Sequence, residues 1–168
     1  FMHGNPNFAI SIAAEINNRL EAAIVYSPIT DEMFAAERGK GSFLNDKRIR
    51  VATRKKLSDS ILITGIPHLG RGNKELFLKE MDIIIPEVAG IRRSGSAALD
   101  LAWIAAGRYD IFWERGLSIW DIAAGILLVR EAGGFAKGID GSDKDLWNGN
   151  IISGNDDIIL ALSEKLSF

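Results

Sequence analysis

A single carboxylate stands near the start of a long apolar stretch, and its surroundings give it more than one possible role. The stretch runs from Ser118 to Gly134, reads SIWDIAAGILLVREAGG and carries Asp121 at its fourth position. Its apolar residues predict a buried helix, and a charge that enters the interior needs a cation, a hydrogen-bonding partner or a capping role to offset its lost hydration. We therefore expect Asp121 to bind a metal ion or to form a capping box with Ser118, and the two roles are compatible.

Two other segments could contact a ligand. Residues 94–98 read SGSAA and predict the start of a helix, where free N–H groups and a partial positive charge favour anionic or hydroxyl ligands. A plain N-cap at Ser94 or Ser96 is the alternative. Glu114 ends an apolar strand, where open α/β sheets tend to place ligand contacts, and its alternative role is a surface ion pair with Arg115.

The sequence around these positions resembles that of the inositol monophosphatase family. Residues 120–134, WDIAAGILLVREAGG, are similar to the family's C-terminal signature, and residues 90–98, GIRRSGSAA, to the segment that faces the substrate ring. Glu114 lies seven residues before Asp121, as in the family. Residues 1–13 resemble the segment that follows the family's Asp-Gly-Thr motif, so the resemblance covers essentially the whole chain.

The resemblance implies a magnesium-dependent phosphatase that cleaves a phosphomonoester of a polyhydroxylated ring, with water as the nucleophile. It implies that Asp121 is both a Mg²⁺ ligand and a substrate contact, and that Glu114 accepts a hydrogen bond from a substrate hydroxyl. The backbone of Gly95, Ser96 and Ala97 is expected beside the ring. The resemblance also implies a homodimer.

Two metal-binding motifs of this family are absent from the sequence. The family holds its metals mainly with a Glu-Glu pair and an Asp-Pro-x-Asp-Gly-Thr segment, both of which would precede Phe1. One carboxylate cannot hold magnesium in octahedral geometry for catalysis. We therefore expect the chain to be the C-terminal part of a longer enzyme and to be inactive alone, with an apolar sheet face left exposed.

Two functional alternatives stay open at the level of the sequence. The same fold could act on another substrate, such as a sugar bisphosphate, a nucleotide 3′-phosphate or histidinol phosphate. Some bacterial proteins that resemble this chain also act as interaction proteins in transcription antitermination. The residues do not distinguish these alternatives from an inositol phosphate substrate.

Composition narrows the class of protein. Of the 168 residues, 47% are hydrophobic, which is enough for a sizeable core. The 22 acidic and 20 basic residues nearly cancel, so the charge gives no support to a nucleic-acid or anionic membrane partner. The absence of cysteine excludes disulfides and thiolate chemistry and favours a reducing, cytoplasmic location. The sequence has no apolar run of about 18 residues that would predict a membrane span.

Two further groups of residues are predicted to be structural. Asp140, Asp143 and Asp145 lack the terminal glutamate of a calcium-binding loop, so we expect a polar surface turn there. The four tryptophans are predicted to be core or subunit-interface residues rather than a base-stacking platform; they are Trp103, Trp113, Trp120 and Trp147.

The elements that position these residues predict an α/β protein, an α+β layered sandwich in two parts. Short turns between apolar runs predict an antiparallel sheet over 1–58, the remainder of an N-terminal domain. Strands and helices then alternate over 59–168, which predicts a C-terminal α/β domain with a mixed sheet and flanking helices. Tight turns are predicted at Asn17-Asn18, and at Asn45-Asp46 within the antiparallel segment 41–51. The other predicted strands are 8–16, 20–26, 32–37, 60–66, 88–92, 109–114 and 151–153, and the predicted helices are 73–85, 96–106, 119–132 and 156–166.

Overall fold

Two five-stranded sheets, with two helices between them, form the framework of the computed structural model, which describes residues 2–166. Phe1, Ser167 and Phe168 lie outside the described residues, and with them the outer ends of the two predicted domains. The first sheet is antiparallel and holds its strands in chain order: β1 (Ile10–Ile16), β2 (Arg19–Ser27), β3 (Glu32–Glu37), β4 (Gly41–Leu44) and β5 (Lys47–Arg48).

Tight turns of asparagine and aspartate shape the first sheet. Asn17 and Asn18 join β1 to β2 with φ angles of 51° and 60°, and Asn45 and Asp46 join β4 to β5 with 44° and 63°. Two positive φ angles in succession give a turn whose twist matches that of the flanking strands, and these residue types tolerate that backbone. Both turns were predicted from the sequence and are confirmed.

The second sheet is mixed, as predicted. β6 (Ile61–Thr64) runs parallel to both of its neighbours, β7 (Gly90–Arg92) and β8 (Ile111–Glu114). β10 (Ile151–Gly154) runs antiparallel to both of its neighbours, β8 and β9 (Phe135–Lys137). The sheet order is β7-β6-β8-β10-β9.

Helices cover both faces of the second sheet and one face of the first. The helices α2 and α3 lie between the sheets, and α1 and α5 pack on the other face of the second sheet. Asn73 is the N-cap of α1 and accepts a hydrogen bond from the N–H of Leu76 at 3.0 Å. The helices are α1 (Lys74–Ile84), α2 (Ala97–Ala105), α3 (Ile119–Glu131), α4 (Asp143–Trp147) and α5 (Asp156–Leu166).

One continuous hydrophobic core joins the two sheets through α2 and α3. Phe34 of the first sheet, Ile126 of α3 and Phe112 of the second sheet all belong to it and are fully buried. Gly125 allows the two helices to approach closely, because a Cβ atom there would lie 2.4 Å from the Cβ of Leu101. The layered α/β fold is thereby confirmed, while a domain boundary between residues 58 and 59 stays a prediction.

The segment after α3 differs from its prediction. Residues 140–145 were expected to form a polar surface turn, but α4 begins within them, and Ser142 caps it by accepting a hydrogen bond from the Asp145 N–H at 3.0 Å. The helix forms because Leu146 buries its side chain completely in the core. The short strand β9 was also absent from the prediction.

The outer face of the first sheet is apolar and exposed. Side chains alternate along β2, so Val25 is buried against the helices while Ile24 points outward. Ile24 pairs across the strands with Ile12, which is 57% exposed, and Met33 and Ile10 are exposed as well. We call the residues Ile10, Ile12, Ile24 and Met33 the outer apolar face.

The tryptophans do not share one environment. Trp113 is buried and Trp103 packs partly buried against the core, as predicted. Trp120 is 72% exposed and Trp147 is 44% exposed, so a core position is wrong for these two, and an interface role stays a prediction.

Within residues 2–166, none of the helices combines the length and the apolar character needed to cross a bilayer.

Candidate functional site

All five predicted site residues line one cavity of about 460 Å³ beside the second sheet. The parallel strands β6 and β8 end at the same edge, and the starts of α2 and α3 face that edge. A second cavity of about 400 Å³ adjoins the first, and Glu114 and Asp121 line both. The residues that the structure brings together are Gly95, Ser96, Ala97, Glu114 and Asp121.

Asp121 lies in the first turn of α3, and the capping role that the sequence predicted is present. Its Oδ2 atom accepts a hydrogen bond from the Ser118 backbone N–H at 3.0 Å, three residues before it. The side chain is only partly buried and lines both cavities. Capping therefore fixes the carboxylate at the cavity wall, where it can also contact a ligand.

Glu114 is the last residue of β8 and extends toward the end of β6. Burial raises the pKa of Glu114 to about 7, and the charge of Asp121 adds to this effect. The Arg93 charge and a hydrogen bond from the Gly65 backbone act in the opposite direction. The ion pair with Arg115 that was considered for Glu114 is not the one formed, because Arg115 pairs with Glu80.

Gly65 leaves the space that the Glu114 carboxylate occupies. A Cβ atom built at Gly65 would lie 1.9 Å from Glu114 Oε1, and the three nearest atoms all belong to the Glu114 side chain. Residue 65 must therefore lack a side chain for Glu114 to reach its observed position. Sequence reasoning missed this residue, since a glycine after a strand is most often just part of a turn.

The segment 94–97 forms a turn held in place by a buried carboxylate. Gly95 has a φ of +97°, and Ser96 is the N-cap of α2, accepting from the Leu99 N–H at 3.5 Å. The Ser96 N–H donates to the Ser94 hydroxyl at 3.1 Å, and this hydroxyl donates to Asp100 in α2. The predicted N-cap is thus Ser96, and Ser94 links the turn to the helix.

Asp100 is 1% exposed and lines the cavity of about 460 Å³, although it was not among the site residues predicted from the sequence. Burial raises the pKa of Asp100 to about 7; the Ser94 hydrogen bond opposes this shift and the charge of Glu114 adds to it. The available signal was a lone aspartate within the apolar helix AALDLAWIA. Arg93 also lines this cavity.

The arrangement suits a ligand with several hydroxyl groups and a negative charge. Two carboxyl groups with raised pKa can accept or donate hydrogen bonds near neutral pH, and the turn at 94–97 presents backbone groups at the start of a helix. Arg71 and Arg93 supply positive charge at the cavity wall. Among residues 2–166, no three carboxylate or imidazole side chains lie close enough together to hold a metal ion. A metal site therefore needs ligands beyond this set.

Comparison with known proteins supplies the family. The model of the inositol monophosphatase family matches residues 1–167. An inositol-1-monophosphatase of Rhizobium meliloti is 56% identical over 166 residues, which are 99% of this chain and 62% of that protein. The Nus factor SuhB of Pseudomonas aeruginosa is 48% identical over 164 residues, 96% of this chain and 60% of that protein.

Solved structures agree with the sequence comparison. The crystal structure of the extragenic suppressor protein SuhB from Bartonella henselae superposes with a TM-score of 0.94 at 50% identity, over 99% of this chain and 64% of that one. The inositol monophosphatase of Anabaena gives 0.91 at 38% identity, over 98% and 66%. The chain spans about three fifths of the length of the curated relatives that it matches. From the family model and these relatives, the chain belongs to the inositol monophosphatase family.

Proposed function

We propose that the protein containing this chain hydrolyses phosphate monoesters of polyhydroxylated rings, with magnesium as cofactor and water as nucleophile. The observation that carries the proposal is the convergence of the turn at 94–97, Glu114 and Asp121 on one cavity in a chain of this family. The cavity volume of about 460 Å³ suits a ligand of this size.

In this proposal the chain supplies the part of the site that orients the substrate. Glu114, partly buried with a pKa of about 7, exchanges hydrogen bonds with a ring hydroxyl. The backbone of Gly95, Ser96 and Ala97 lies along the ring, held by the hydrogen bonds between Ser94 and Asp100. Orientation of this kind lowers the entropy cost of reaching the transition state.

Magnesium binding requires more ligands than the described residues bring together. Asp121 is the one ligand that we assign to this chain, and its carboxylate also contacts the ring. Since the relatives are longer, the remaining ligands and the group that activates water are expected in the part of those proteins that this chain does not span.

A titration of this chain with myo-inositol 1-phosphate, followed by ¹H–¹⁵N NMR, tests the proposal. We expect the amide signals of residues 95–97 and the indole signal of Trp120 to shift, and Glu114→Gln to weaken binding. Glu164→Gln is the control, because Glu164 lies in α5 and lines neither cavity. An unchanged spectrum at millimolar ligand, or shifts confined to other surfaces, would count against the proposed site.

Competition between phosphate esters for the site would identify the preferred substrate within this class. Sugar bisphosphates, nucleotide 3′-phosphates and histidinol phosphate are the other candidates, and each can be added in the same NMR titration. We propose myo-inositol 1-phosphate first because two relatives at 54–56% identity are inositol-1-monophosphatases. We further propose that the protein is a cytoplasmic homodimer, which sedimentation and cell fractionation would test.

A role in transcription antitermination is the second candidate function. It is favoured by the 44–48% identity to proteins described as the Nus factor SuhB. Copurification of RNA polymerase-associated factors with the Glu114→Gln variant would support a role independent of catalysis. Their absence from both parent and variant would leave the phosphatase as the sole proposal.

A further inference from the structure

The two residues on either side of Glu114 are held by one buried carboxylate. Alternate residues at a strand end point to the same face, so Trp113 and Arg115 extend toward α1, where they and Glu80 line the smaller cavity, while Glu114 lines both cavities. Glu80 of α1 accepts a hydrogen bond from Trp113 Nε1 at 3.0 Å and one from Arg115 Nε at 2.8 Å. A further bond from Arg115 Nη2 reaches the same oxygen, Glu80 Oε1.

Glu80 is a buried carboxylate in largely apolar surroundings. It is 1% exposed and lies beside a cluster of apolar side chains, where Phe77 stacks on Trp113 with ring centroids 5.5 Å apart. A buried carboxylate is costly unless donors surround it, and well-packed apolar residues often replace a buried ion pair without loss of stability. Packing alone therefore does not account for a charge here.

We propose that Glu80 is a positioning residue for the ligand-binding carboxylate of Glu114. By bonding to the residues immediately before and after Glu114, it fixes the end of β8 in position and orientation. The backbone at Glu114 then has little freedom to tilt, and its side chain enters the space left open by Gly65. The binding part of this inference rests on the proposed function.

Variants of the buried pair separate positioning from stability. Glu80→Met leaves Arg115 without its partner, so we expect a lower unfolding free energy and binding of myo-inositol 1-phosphate weakened by about tenfold or more. The double variant Glu80→Met/Arg115→Met removes the unpaired charge and regains much of the stability. We expect it to keep the weakened binding, because the Glu114 strand end stays unanchored.

A ligand-free measurement keeps the inference independent of the proposed function. We expect the ¹³C signal of the Glu114 side-chain carboxyl to move in Glu80→Met and, to a smaller extent, in Arg115→Met, which keeps the Trp113 bond to Glu80. Glu87→Met is the matched control, because Glu87 pairs with Lys165 at 3.0 Å away from β8. Arg115→Met also serves if Glu80→Met fails to fold.

The outcomes are distinct. Weakened binding that persists in the double variant, with a shifted Glu114 signal, supports the positioning role. Affinity that returns with stability in the double variant, or a Glu114 carboxyl signal that moves no more than in Glu87→Met, overturns it. Failure of the parent chain to bind the phosphate ester counts against the proposed function, while the Glu114 signal still decides the role of Glu80.

Discussion

The Ser94 hydroxyl donates a hydrogen bond to the buried carboxylate of Asp100 and accepts one from the Ser96 N–H at 3.1 Å. These two bonds connect the interior of α2 to the turn that forms one wall of the cavity. Because Asp100 lies beneath the turn and is almost fully buried, its protonation state affects both the stability of the fold and the shape of the site.

Replacing Asp100 by asparagine should change how stability depends on pH. The pKa of Asp100 is 3.8 in a solvated chain and about 7 in the fold, where burial is the main cause. Between these values the unfolded chain loses the proton first, so the free energy of unfolding falls as pH rises, and the cost is complete above the folded pKa. Asparagine keeps an acceptor for Ser94 and has no such cost.

We therefore expect Asp100→Asn to gain stability relative to the parent as the pH is raised from 4 to 8, by up to roughly 4 kcal/mol. Urea denaturation at pH 4, 5.5 and 8 measures this difference. Comparing parent and variant at each pH removes most of the parallel contribution of Glu114, whose pKa is also raised. A stability difference that stays constant over this range contradicts the prediction.

Glu131 at the end of α3 ties the helix to a turn of the first sheet. Its Oε1 accepts a hydrogen bond from the Gly39 N–H and its Oε2 one from the Gly41 N–H, each at 2.9 Å. Glutamine can replace only one of these acceptors, so Glu131→Gln should lower the unfolding free energy by about 1 kcal/mol. The exposed neighbour Lys40, paired with Glu37, is the control, since Lys40→Gln is expected to change stability little.

Amide hydrogen exchange locates the effect of Glu131→Gln. Faster exchange at Gly39 and Gly41, with unchanged exchange in α5, is the expected result. Equal exchange in parent and variant at these two amides would show that the hydrogen bonds contribute nothing measurable.

Gly65→Ala should displace Glu114 while leaving the fold intact. The three atoms nearest to the added methyl group all belong to the Glu114 side chain, whose end can move, and the φ of Gly65 lies outside the left-handed region. We expect a stability change below about 1 kcal/mol and affinity for myo-inositol 1-phosphate reduced about tenfold or more. In a Glu114→Ala background the same substitution should have almost no further effect on binding. Independent, additive losses would contradict this coupling.

The sequence predicted those features that depend on neighbouring residues. The turn at Asn17 and Asn18 was predicted from residue types that tolerate positive φ, and the capping bond of Asp121 from a spacing of three. Helices with strong apolar patterns were located to within a residue or two at each end. The predicted site residues meet at one cavity because they follow strands or begin helices at one edge of the sheet.

Features set by distant partners were not predicted. Glu80 lies 33 residues from Trp113, and no local pattern distinguishes it from an exposed glutamate of α1. The role of Gly65 depends on a carboxylate that only the pairing of β6 with β8 brings near. Trp120 was expected in a core or a subunit interface because large aromatic residues usually bury their surface, and in this chain it lies at the cavity wall and is mostly exposed.

The outer apolar face should cause this chain to associate with itself in solution. Ile12 and Ile24 face each other across β1 and β2 and are both exposed, and contiguous apolar patches on a surface promote association. Ile12→Lys places a charge at the centre of this face, where no buried contact is lost, so it should reduce association with little change in unfolding free energy. Sedimentation velocity over a range of concentrations measures the self-association of the parent chain and of Ile12→Lys. Lys79→Glu, on the exposed side of α1, is the control. If the parent sediments as a monomer at every concentration, the outer apolar face does not cause association. If Ile12→Lys associates as strongly as the parent, another surface is responsible.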